Sequence, residues 1–187
     1  MPIKLVATCL TSQQKQACTD LRAQLQIEMT QRYVASYGEI EPGCITDFSV
    51  HCFNSAALEM LKNMGVQRAT LHPELNLAQI RDMKKSIDTE VVVYGKIPLM
   101  KLGNPVIKGT VTDRKGAGFF AHGDMLYNSV PIFMADKLKD VAKTGVTHGR
   151  LIFTTENAEE VRQVIRAYMH EKMIKIDFTR GKFYSKV

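Results

Sequence analysis

The sequence contains no tryptophan, four cysteines in 187 residues, and no apolar run near the roughly 20 residues that span a bilayer. Each shortage excludes something. Cys9, Cys18, Cys44 and Cys52 show no Cys-x-x-Cys spacing and are too few to staple a chain of this length, so reduced, packed thiols are expected. The start, Met1-Pro2-Ile3-Lys4, lacks both a charged leader with an apolar stretch and an Arg- and Ser-rich presequence, which points to no membrane and to the cytoplasm. There is no Gly-x-Ser-x-Gly elbow and no His-Glu-x-x-His helix. Gly116 and Gly118 fall in an expected hairpin instead of a strand-to-helix turn, so a dinucleotide loop is not expected, nor is a metal or other cofactor.

The hydrophobic fraction of 45% and the charged fraction of 24% are those of a globular chain able to bury one core, so residues 1–187 read as a single α/β domain. The net charge of +6 is moderate. Part of it lies at the end, where Lys172, Lys175, Arg180, Lys182 and Lys186 outnumber Glu171 and Asp177. Without interleaved stacking aromatics such a tail is a weak nucleic-acid signal, and a solvated basic end is the simpler reading.

What the chain has in abundance is alternation of short apolar runs with capped amphipathic stretches. A strand is expected from Ile3 to Cys9, then a helix capped by Thr11 or Ser12 and buried through Ala17, Cys18, Leu21 and Leu25. Residues 33–38 read as a strand, as do Ile45 to Cys52, Gln67 to Leu71 and Glu90 to Gly95. Between them lie helices capped by Asn54 or Ser55 and by Asn76, the first ended by Gly65. The strand starts recur about every 22 residues, a compact version of the β/α barrel unit. Lys96 to Val111 has too many glycines and prolines for a helix, and Asp113-Arg114-Lys115-Gly116 suggests an inserted hairpin. A strand near Leu126 to Ser129, a helix from Met134 to Lys143, a strand from Arg150 to Thr154 and a helix capped by Asn157 complete the pattern. Five or six parallel strands fall short of the eight of a closed barrel, so the fold class expected is an incomplete TIM-type (β/α) barrel with an inserted β-hairpin. Its open side needs strands from elsewhere or a cover of helices.

Reactive groups in such folds sit at the carboxy ends of the strands. Three successive ends carry His51 and Asn54, His72 and Glu74 around Pro73, and Tyr94 and Lys96 around Gly95. On a strand, Asp47, Ser49 and His51 share one face, which is hard to explain as plain core. His72 and Glu74 can act as an acid/base pair, since imidazole titrates near neutrality, yet a carboxylate in the first turn of a helix also has a purely structural explanation. His51 alone reads more readily as a hydrogen-bonded histidine than as a ligand, and His122, His148 and His170 as loop or surface residues.

Six ordered stretches carry a family likeness: Asp47-Phe48-Ser49-Val50-His51-Cys52-Phe53-Asn54-Ser55, His72-Pro73-Glu74-Leu75-Asn76, Val93-Tyr94-Gly95-Lys96-Ile97-Pro98-Leu99-Met100, Asp113-Arg114-Lys115-Gly116, Asn128-Ser129, and Phe178-Thr179-Arg180-Gly181-Lys182-Phe183-Tyr184. Over about 44–187 the chain resembles the collagenase-like peptidase family U32, and residues 1–43 show no comparable match. The resemblance implies a barrel and a peptidase label of unassigned catalytic type. It also implies that some members are iron-sulfur proteins that hydroxylate RNA bases or a quinone precursor, with cysteines near the positions held here by Lys101-Leu102-Gly103-Asn104-Pro105-Val106 and Asn128-Ser129-Val130. No cysteine follows Cys52, so this chain is not expected to assemble that cluster.

Three roles follow as expectations. One is a cluster-free peptidase using His72, Glu74, Tyr94 and Asp113, with His51, Asn54, Lys96, Arg114 and Arg180 contacting substrate. The second is a partial chain that completes a barrel with its remainder or a partner subunit of the family, including an RNA-modifying member, and has little activity alone. The third is a non-catalytic module whose basic tail and Arg114 hold RNA or another phosphate-rich ligand.

Overall fold

The computed structural model describes residues 3–25, 28–29, 32–103, 109–114, 116 and 118–186, with side chains 22–25 and 28–29 left out. Lys115 of the expected turn and Asn104 to Val106 lie outside the described residues. Strand β1 (Lys4–Cys9) leads into α1 (Ser12–Leu25), and β2 (Glu28–Met29) pairs beside β1 in parallel. Then come β3 (Ile45–Thr46), α2 (Ser55–Asn63), β4 (Arg68–Thr70), α3 (Leu77–Asp82) and β5 (Asp88–Gly95). Asn54 and Asn76 cap α2 and α3 through their side-chain carbonyls.

A second, antiparallel sheet follows, built from β6 (Pro98–Lys101), β7 (Gly109–Thr112), β8 (Gly118–His122) and β9 (Met125–Asn128) in the order β6-β9-β8-β7. The chain returns to the first sheet through β10 (Ile132–Phe133), which runs antiparallel to the end of β5. It closes with α4 (Leu138–Ala142), β11 (His148–Phe153) and α5 (Ala158–Met169), the last carrying an Asn157–Glu160 capping box.

The parallel strands lie in the order β2-β1-β11-β5-β4-β3. Followed from β3 through β4, β5 and β11 to β1 and β2, this is chain order on a circle, as in a β/α barrel. Among the described residues no ladder joins β2 to β3, so the sheet is a curled, partly closed one. One face of it packs under the helices through Ala7, Val91, Val93, Leu151 and Phe153, against Val161, Val164, Ile165 and Tyr168 of α5. The opposite face is part apolar, with Phe48, Val92 and Ile152, and part ionic. There Arg68 lies 3.3 Å from Glu90, Arg150 pairs with Asp47 at 2.5 Å and stacks over the Tyr33 ring at 3.6 Å, and Thr70 donates to Glu90 at 3.0 Å.

Several expected elements differ. Residues 33–38 contribute only a bridge from Val34 to Thr46 before a 3-10 turn at Tyr37–Glu39. The run from Ile45 to Cys52 is a strand only at its start. After Asp47 it winds into a 3-10 turn, Phe48–Val50, and His51 ends that turn in the left-handed region at φ 57. The face shared by Asp47, Ser49 and His51 therefore does not exist as strand alternation. A short polar run of Asp and Ser offers side-chain acceptors and donors that favour a turn over an extended ladder, and the Ser49 hydroxyl donates to Asp47 and to the Ala35 carbonyl. The strand near Leu126 to Ser129 belongs to the antiparallel sheet, because the expected hairpin extends into four strands that recruit it. The helix at Met134 to Lys143 begins as a 3-10 turn, and its α-helical part is short.

Candidate active site

The parallel bridge between Cys52 and Leu71, reinforced by the His72 N–H donating to the Cys52 carbonyl at 3.1 Å, sets the loops after β3 and β4 side by side. Their aromatic rings then meet. His51 and His72 have centroids 5.4 Å apart, Phe53 stacks on His72 at 4.2 Å, and Phe48 meets His72 edge-on at 6.5 Å. The left-handed His51 backbone is uncommon for a residue with a side chain, and here it turns the chain into this cluster.

The Glu74 backbone N–H donates to His72 Nδ1 at 3.3 Å, so the neutral ring carries its proton on Nε2. Burial against the phenylalanines and the nearby His51 push the His72 pKa below its ordinary value, and the Glu74 carboxylate pulls the other way. The neutral ring wins.

Phe48, His51, His72 and Glu74 form one wall of a groove of about 1080 Å³. Phe48, Ile97, Val130 and Ile132 make its apolar part, and all four residues of β6 line it on the side of the second sheet. Beyond Glu74 the wall continues through Thr179, Gly181, Lys182 and Ser185. That terminal segment is fastened by Phe133 N–H donating to Thr179 at 3.0 Å, by Leu77 N–H donating to Phe183 at 3.0 Å, and by a two-pronged pair of Arg180 with Asp136.

Of the expected site residues, His51, His72 and Glu74 line the groove together, and the other six do not. Asn54 is spent on capping α2, its carbonyl accepting from the Ala57 N–H at 2.9 Å. Lys96 donates to the Thr155 hydroxyl at 2.8 Å and lies over the Phe120 ring. Asp113 and Arg114 are exposed at the tip of the β7–β8 hairpin. Arg180 spends its guanidinium on Asp136 and on the Phe133 carbonyl.

Tyr94 is buried in the helical core, where its hydroxyl donates to Glu156 at 3.1 Å and burial drives its pKa far up. A bulge in the β5–β11 ladder turns it there, since the register shifts between Arg150 and Leu151 and leaves Val93 unpaired. The Val93 carbonyl instead accepts from the Tyr168 hydroxyl at 2.5 Å. Gly95 then passes so close to β11 that an added Cβ would lie 2.4 Å from the Ile152 carbonyl oxygen, at φ +127.

The groove also contains Ser49, β6, Met125 and Ser185, to which sequence reasoning assigned no role, and Lys182, which it counted only as part of the basic tail. Several sit inside the six ordered stretches that carry the family likeness, but no local pattern tells a groove wall from a connection. Asn128, within one stretch, clamps the groove's backbone: its carbonyl accepts from the Ile97 N–H at 2.5 Å and its amide donates to the Val130 carbonyl.

The thiols do not fit the iron-sulfur cluster implied by the resemblance. Cys9 and Cys18 lie between β1 and α1, Cys52 is packed against Leu71, and the Asn128 amide occupies the second expected ligand region. Among the described residues no helix is long and apolar enough to cross a membrane. Neither a curated protein nor a solved structure matches the chain. The family model described as Peptidase family U32 matches residues 45–178, a span that holds the rim histidines, the second sheet and α5. With most of its length inside that match, the chain belongs to peptidase family U32.

Proposed function

We propose that the chain is a hydrolase acting on extended peptides at the mouth of the groove, with His72 and Glu74 as its catalytic pair. The observation that carries this reading is the juxtaposition of His51, His72 and Glu74 on a groove whose far wall is a sheet-edge strand. An edge strand offers main-chain hydrogen bonds to a peptide, and the apolar floor takes its side chains. The Nε2–H of His72 polarises the scissile carbonyl, as a fixed donor in a partly dry site. Glu74 accepts a proton from the attacking water and passes it to the departing amine as the C–N bond breaks. His51 contacts the substrate. Tyr94, Asp113, Asn54, Lys96, Arg114 and Arg180 have no part in this chemistry, because none lines the groove.

The reading places the chain in the cytoplasm. A family partner, or further barrel strands, covers the margin of the sheet beside β2, and the chain alone turns over slowly. The RNA readings are weakened at two of their residues, since Arg180 is paired with Asp136 and Arg114 stands apart from the groove.

Cleavage of fluorogenic peptides of denatured-collagen sequence tests the proposal. His72→Ala lowers the rate on the order of a hundredfold while leaving the thermal midpoint near that of the parent. Equal rates in the two proteins, or RNA binding that falls steeply with salt in the absence of any cleavage, overturn it.

A further inference from the structure

The cysteines looked scattered in sequence, yet two of them meet. Cys9 ends β1, Cys18 lies one turn and a half into α1, and their sulfurs are 3.3 Å apart. Cys18 is fully buried and Cys9 nearly so. We propose that Cys9 and Cys18 form an oxidisable dithiol, with Cys9 the peroxide-reactive sulfur and Cys18 the resolving one.

The two sulfurs are not equivalent. Either thiol can donate across the contact, but Cys9 keeps a little exposure at the end of β1 while Cys18 has none, and the Lys15 ammonium favours the thiolate at Cys9 while Glu156 opposes it. At Cys52 burial outweighs a hydrogen bond from the Asn54 backbone and pushes the thiol up to about 11, and that residue serves as an internal comparison.

In the reaction the Cys9 thiolate attacks one oxygen of a hydroperoxide. The O–O bond breaks, the leaving oxygen takes up a proton as water or an alcohol, and Cys9 becomes a sulfenic acid. The Cys18 sulfur then attacks Cys9, the S–O bond breaks, and the Cys18 proton leaves with the hydroxyl as water. Two electrons pass from the thiol pair to the peroxide, and no further reductant or oxidant enters. The sulfurs need to close by about 1.3 Å to reach disulfide length, a small movement for adjacent side chains. The surroundings are built to hold them in place. Gln14, in the first turn of α1, accepts from the Leu10 and Thr11 N–H groups and donates to the Thr154 and Glu156 carbonyls, tying the β1–α1 corner to the end of β11.

The experiment is to treat the reduced full chain with one equivalent of hydrogen peroxide and map the product by trypsin digestion and mass spectrometry. Trypsin cuts after Lys15, between the two cysteines, so the bond joins two separate peptides. The expected result is loss of two hydrogens from the intact mass, a linked pair of peptides bearing Cys9 and Cys18, and free thiols at Cys44 and Cys52. In Cys18→Ser, Cys9 accumulates as a sulfenic acid trapped by dimedone. Oxidation of Cys44 or Cys52 ahead of the pair, or over-oxidation of Cys9 in the parent with Cys18 still free, overturns the proposal.

Discussion

A single imidazole carries the chemistry proposed for the groove. His72 is neutral because two phenylalanines and a second histidine surround it and because the Glu74 N–H fixes its tautomer. With its pKa below the ordinary value near 6.5, the donor form predominates at pH 7 and is lost as the pH falls through that lowered value. A pH–rate profile is therefore flat around neutrality and drops on the acid side. Phe53→Ala lets water onto the ring, and the acid limb moves upward toward 6.5. The same sign holds for stability: the folded protein binds this proton less readily than the unfolded chain, so His72 favours folding above 6.5 and that contribution is lost as the pH falls through its folded pKa. The residue-level reading of the sequence grouped His51, His72 and Glu74 from their places at expected strand ends, and the three do line one groove. It grouped Tyr94 with them because a bulge leaves no mark on an unbroken run of valines.

At the scale of elements, caps were the most legible feature. Asn76 and Asn157 each cap the helix they were expected to cap, and of the two candidates Asn54 and Ser55 it is Asn54 that caps α2, since an Asn side chain before an apolar stripe satisfies free N–H groups in almost any context. Replacing Asn157 by Ala removes acceptors for the Glu159 and Glu160 N–H groups, and the expected cost is about 1 kcal/mol in urea unfolding. Helix α5 covers β5 and β11, so this loss is global and not confined to a frayed end. The strands after β5 were harder to read. Their partners are set by tertiary pairing, and the Gly- and Pro-rich connection between Lys96 and Val111 gives no periodic signal of the edge strand β6 within it. The turn at Phe48–Val50 escaped for a related reason: over so few residues, a period of two and a 3-10 turn look alike.

Across the whole molecule, the chain keeps the circular strand order of a β/α barrel while placing a four-stranded antiparallel sheet against its rim, and the groove is what lies between them. The alternation of strand and helix and the resemblance over most of the chain were enough to foresee β1, β3, β4, β5 and β11 of the first sheet, but not β2 or the antiparallel β10. The second sheet, and hence the groove's far wall, depended on pairings distant in sequence. The ionic face of the curled sheet was also unforeseen, because Arg68, Glu90 and Arg150 each look like ordinary strand-end charges until register brings them together. Burial raises the Glu90 pKa while Arg150 and Arg68 lower it. Arg150→Met thus leaves Glu90 and Asp47 short of counter-charge, and the expected loss is about 3 kcal/mol at pH 7. Since Glu90 then binds its proton more tightly in the folded state, the loss shrinks as the pH is lowered and grows as it is raised, which denaturant titrations at several pH values read directly.

The central claim is that an extended peptide lies in the groove against the paired imidazoles. Histidine-ring NMR with a denatured-collagen peptide tests it most directly, because the chain has five histidines and, among the described residues, His51 and His72 are the ones that line the groove. Saturating peptide is predicted to move the His51 and His72 ring signals and leave those of His148 and His170 in place. Unmoved His51 and His72 signals with bound peptide, or shifts confined to His148 and His170, contradict the account.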